Sequence, residues 1–74
     1  MNAFTHPHDE ARRLRAILRA NTLGTGPALY ALATVAGRES AIRISKVRVW
    51  RNILEGKALS SGRWIPLTKW ETRP

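Results

Sequence analysis

The stretch Ser45–Gly56, SKVRVWRNILEG, constrains the fold of this chain more than any other segment. Wound as a helix at about 100° per residue, it gathers Val47, Val49, Trp50, Ile53 and Leu54 on an arc of roughly 160°. Arg48, Arg51, Asn52 and Glu55 then fall on the opposite arc, and Lys46 lies within the apolar arc in the first turn, where it reaches solvent. Ser45 stands at an N-cap position and Gly56 at a left-handed C-terminal position. This predicts a short basic helix seated on its neighbours by Val and Trp. A second pattern competes with it. Ile42 and Ile44 alternate with Arg43, and Val47 and Val49 alternate with Arg48, which is a strand-like, β-branched rhythm. That alternation slips phase between Ser45 and Lys46, so a strand through both halves needs a bulge there.

The flanking segments suggest further elements. Residues 1–6 read as a loose arm. Pro7–Asn21 reads as an amphipathic helix with Pro at its first position, Asp9 and Glu10 in its first turn and Leu14, Ile17 and Leu18 on its buried stripe. Thr22–Gly26 ends it in a turn. Pro27–Gly37 is apolar nearly all round and rich in Ala and Leu, which favours a second, central helix. A buried strand over Tyr30–Val35 is the competing reading. Arg38–Ile44 connects to the basic helix. Ser60, Ser61 and Gly62 mark a turn, and Ala58–Leu59 with Trp64–Ile65 form a small hairpin in which Pro66 belongs at an edge. The expectation is therefore one mainly α domain over residues 7–67, with three helices, a short C-terminal β-hairpin and a tail over 68–74. The alternative is α+β, a helix with a small antiparallel sheet.

With 74 residues and no cysteine, the chain has one small core and no disulfide or thiolate metal site to staple it. Its longest nearly apolar run, Ala28–Ala36, is far short of the roughly 20 residues of a membrane span. MNAFTHPHDE lacks a basic segment followed by an apolar one, so no signal peptide and a cytoplasmic location are expected. Thirteen Lys and Arg oppose five Asp and Glu, a formal charge of +8, and ten of the thirteen are Arg. The planar fork of Arg suits phosphate and guanine, so the balance points to an anionic partner rather than a membrane-spanning role.

Arg48, Arg51 and Asn52 are the candidate contacts to bases or phosphates, Arg through guanine O6 and N7 and Asn through adenine N6 and N7. Arg43 and Lys46 flank the start of the same helix, and Arg63 sits on the hairpin, where they would hold the phosphate backbone. Arg12, Arg15 and Arg19 read as solubilising charges of the first helix. Trp50 is expected in the core and Trp70, near the C-terminal end, is the best partner-contacting aromatic. His6 and His8 lack a third metal ligand. The acids Asp9, Glu10, Glu39, Glu55 and Glu71 are scattered, and no nucleophile motif or phosphate-cradling glycine loop is present. No catalysis and no cofactor are expected.

Ala33 four residues before Gly37, and Val47 three before Trp50, resemble the small helix-turn-helix regulators of bacteria and phages, of the Cro and repressor type. The resemblance implies that Lys46, Arg48, Arg51 and Asn52 would enter the major groove. EGKALSSGRWIP looks like the end of excisionase-type winged proteins, in which a hairpin carries a cation, here Arg63. The turn between the paired helices is about three residues in that family, and Arg38–Ser45 is longer.

Two functions follow as expectations. One is a sequence-specific regulator of transcription that binds double-stranded DNA as a homodimer. The alternative is a phage-type protein that docks on an acidic surface of a host machine such as RNA polymerase. A strand over residues 41–50 favours the second, because an exposed strand edge can add to a partner's sheet.

Overall fold

The computed structural model describes residues 6–74. Helix α1 spans Pro7–Thr22. Pro7 sits at its start, where a missing N–H is harmless. The side chain of His6, the N-cap, accepts from the His8 amide at 3.2 Å. Asp9 and Glu10 complement the positive end of the dipole, while Ala11 and Leu14 are fully buried.

Everything after α1 is sheet: β1 Ala28–Val35, β2 Arg38–Trp50, β3 Ile53–Ala58, β4 Trp64–Pro66 and β5 Trp70–Arg73. The strands lie in the order β4-β3-β2-β1-β5, each pair antiparallel. β4 and β5 thus occupy opposite edges, yet only Leu67, Thr68 and Lys69 join them. Four Cα steps span at most about 14 Å, whereas the edges of a flat five-stranded sheet stand about 19 Å apart. The sheet must therefore curl. Its short link bonds both sides: the Leu67 amide donates to the Leu54 carbonyl and the Leu32 amide to that of Lys69, each at 2.9 Å. The result is a small, partly closed barrel of two three-stranded sheets sharing the long strand β2.

The bend in β2 is a bulge. Ile44 pairs with Ala58 and Lys46 with Lys57, leaving Ser45 as the extra residue. Its hydroxyl donates to the Lys57 carbonyl at 3.2 Å. The bulge shifts the side-chain phase, so Ile44 and Val47 both enter the core with Leu14, Leu29, Ala31 and Leu67. Ile17, Leu18, Leu54, Ile65 and Trp70 pack around them, so one face of α1 covers the core while Arg12, Arg13, Arg15 and Arg19 stay exposed.

These elements correct the mainly α expectation: the protein is α+β and mostly sheet. Residues 27–37 form β1 and a turn, with Ala36 and Gly37 at φ 52° and 76°. Their Ala and Leu content suits a helix, but pairing with both β2 and β5 buries them better. Ser45–Gly56 is a hairpin, not a helix. Arg51 and Asn52, at φ 50° and 65°, make its two-residue turn. Gly56 caps nothing; a Cβ there would lie 3.0 Å from Ile44 Cδ1, so the absent side chain makes room for that core residue. Ala33, Gly37, Val47 and Trp50 fall on strands and a turn, and the described residues hold one helix rather than a helix pair. The sheet also runs on through Trp70–Arg73, where a tail was expected; of the expected arm, residues 1–5 lie outside the described residues. No helix among those described is long and apolar enough to cross a membrane.

Candidate functional site

The outer face of β2–β3–β4 collects most of the candidate residues. Strand alternation and register place Lys46, Arg48 and Trp50 of β2 beside Lys57, Glu55 and Ile53 of β3, with Trp64 of β4 next to Lys57. Arg51 and Asn52 project at the tip of the hairpin. Trp50 and Ile53, directly paired across the ladder, are 54% and 53% exposed. Trp50 is therefore not a core residue as its place on the helical arc implied. The strand period splits that arc, turning Val47, Val49 and Leu54 inward and Trp50 and Ile53 outward.

The cations of this face differ in availability. Arg48 Nε donates to Glu55 Oε1 at 2.8 Å, and its guanidinium lies 4.1 Å from the centre of the Trp64 ring and 5.4 Å from that of Trp50. It is neutralised and stacked in place, so it orders the aromatics. Lys46 and Lys57 stand directly opposite each other, an arrangement that destabilises a ladder unless an anion lies between. Neither has an acid partner among the described residues. Arg51 is exposed, its guanidinium 5.8 Å from the Trp50 ring centre.

The remaining candidates lie elsewhere. Arg63 is exposed in the loop before β4, beside the hairpin whose turn bonds run from the Gly62 amide to the Ala58 carbonyl and from the Ala58 amide to the Arg63 carbonyl. Arg43 is held at the far end of α1, where it donates to Asn21 Oδ1 at 3.0 Å, so it does not join this face. Trp70 is half-buried against the core, not presented at a free end. Arg73 is drawn to Glu71, whose hydrogen bond and charge raise its pKa, and it lies over Tyr30 on the other sheet. Lys57, Ile53 and the Glu55 partnership were not singled out from sequence; opposing registers across a two-residue Arg-Asn turn would have revealed them.

Among the described residues no three His, Cys, Asp or Glu gather as metal ligands. What the face presents is cations beside exposed aromatic and aliphatic surface on one hairpin. Comparison with known proteins finds no matching family, no matching curated protein and no matching solved structure.

Proposed function

We propose that this chain is a non-enzymatic DNA-binding protein whose outer β2–β3–β4 face grips the phosphate backbone. The observation that carries the reading is the uncompensated Lys46–Lys57 pair, placed on the same face as exposed Trp50 and Arg51. A phosphate between the two ammonium groups removes their repulsion and releases condensed counterions. The hairpin tip then meets a groove of double-stranded DNA. Strands and ribbons enter grooves as helices do, and an apolar pair such as Trp50 and Ile53 can wedge at a base step. Arg51 supplies the tip cation, and Asn52 is the second polar group there.

This reading replaces the recognition helix with a ribbon. Transcription regulation follows if the tip prefers certain steps and the protein occupies a promoter. The reading requires an affinity for a duplex oligonucleotide that falls steeply with salt. Fluorescence titrations at several salt concentrations measure it. Arg51→Ala should reduce the slope of log K against log salt by about 0.9, and Trp50→Ala should weaken binding while leaving that slope unchanged. Loss of neither property in these variants would remove the hairpin from the interface.

A protein partner is the second reading, favoured by a different feature, the side of β2 that no strand covers.

A further inference from the structure

We infer that the groove between α1 and the uncovered side of β2 accepts an extended acidic segment of a partner protein as an added strand. The ladder between β1 and β2 ends at the pair Tyr30 and Arg43. From Lys46 to Trp50, β2 pairs with β3 alone. The two-residue turn makes Trp50 and Ile53 a hydrogen-bonded pair, so Arg48 and Lys46 also bond to β3. Val47 and Val49 then carry their N–H and C=O groups to the other side. The partner of Val49 on the ladder agrees with this phase: the Leu54 carbonyl points away from β2 and accepts from Leu67.

Across from this edge lies α1. Arg15 and Leu18 of the helix face Ser45, Lys46 and Val47 over an open groove of about 310 Å³. A smaller pocket of about 130 Å³, which Arg43 and Asn21 help to line, shares Leu18 and Ser45 with this groove. The groove therefore offers alternating backbone donors and acceptors, apolar walls from Leu18 and Val47, and cations at Arg15, Lys46 and Arg43. An added strand satisfies the backbone, and its alternating side chains read the walls. Acidic side chains match the cations. A second copy of this chain, at +8, brings the same charges to the edge and is repelled. A nucleic acid suits the cations but not the outward carbonyls, which repel phosphate.

The test uses the full chain, isotopically labelled, titrated with a capped peptide of alternating Glu and Val. A Lys–Val peptide and a DNA duplex serve as comparisons. The Val47 and Val49 amides should shift with the Glu–Val peptide, and only that peptide should protect them from exchange. Arg15→Glu, on the exposed helix surface, should weaken the peptide by about tenfold or more. Val49→Pro, which removes an edge donor without breaking a bond to β3, should weaken it similarly while the circular-dichroism spectrum stays unchanged. Unmoved Val47 and Val49 amides at saturating peptide would overturn the proposal. So would an equal response to the Lys–Val peptide, protection produced by DNA alone, or protection in the free protein that grows with concentration and marks a second copy. Trp50→Ala separates the two surfaces: it should weaken DNA and leave the peptide titration as it was.

Discussion

Ile44 and Val47 lie three residues apart on one strand, yet both side chains are buried in the same core, 2% and 6% exposed. Only the extra residue Ser45 makes this possible, because an unbroken strand puts residues three apart on opposite faces. The bulge also bends β2 from one sheet into the other, and so lets the five strands curl round a core that one face of α1 covers.

Deleting Ser45 should be far more damaging than removing its hydroxyl. The deletion turns either Ile44 or Val47 out to solvent, a loss of roughly 1.5–3 kcal/mol from burial alone. Ser45→Ala loses one partly buried hydrogen bond, about 1 kcal/mol. Thermal unfolding followed by circular dichroism gives both values, and equal losses would mean that the bulge does not set the register.

At the hairpin tip, Asn52 has a conformational task before any chemical one. At φ 65° it occupies the left-handed region, which Asn and Gly tolerate better than other residues. Asn52→Gly should leave stability nearly unchanged, whereas Asn52→Val should destabilise by about 1–2 kcal/mol. Denaturant midpoints of the two variants provide the comparison.

How much of this was legible in the sequence depended on which signals were local. The opening helix was legible, since Pro7, Asp9, Glu10 and the Leu14–Leu18 stripe are signals that need no partner. So was the edge position of Pro66. The phase slip at Ser45 was visible too, and it marks the bulge. What misled was coincidence of periods: Val47, Val49, Trp50, Ile53 and Leu54 fit one helical arc, while the turn at Arg51 and Asn52 reverses the chain midway. Ala28–Val35 has helix-favouring composition, and only its two neighbouring strands, distant in sequence, decide otherwise. Lys46, Arg48, Arg51 and Asn52, close in sequence, also lie together on one hairpin. The opposition of Lys46 to Lys57, and the exposure of Trp50 with Ile53, come from register and could not be read without it.

Lys57→Glu should separate stability from binding. It converts a like-charge cross-strand pair into an attractive one, worth roughly 0.2–1 kcal/mol in the folded state. The same change should weaken DNA binding, because the candidate phosphate seat is lost. A rise in melting temperature together with a lower affinity is the expected outcome; a fall in both would mean that Lys57 serves the fold in another way.

Glu55→Gln should act in the opposite direction. It frees the Arg48 charge while leaving its stacking on Trp64 available. Affinity for DNA should rise and the salt slope should steepen by up to about 0.9, at a stability cost of about 1 kcal/mol or less for this partly exposed pair. Salt-dependent titrations of the variant and the parent chain measure the difference.

The outer-face account of DNA binding is tested most directly by mapping backbone amide shifts of the labelled protein as a short DNA duplex is added. The account predicts that the shifted amides cluster on Lys46–Lys57 and around Arg63–Trp64, with the largest changes at the Trp50–Ile53 tip. Shifts confined to the exposed arginines of α1, or spread evenly over the surface, would contradict it.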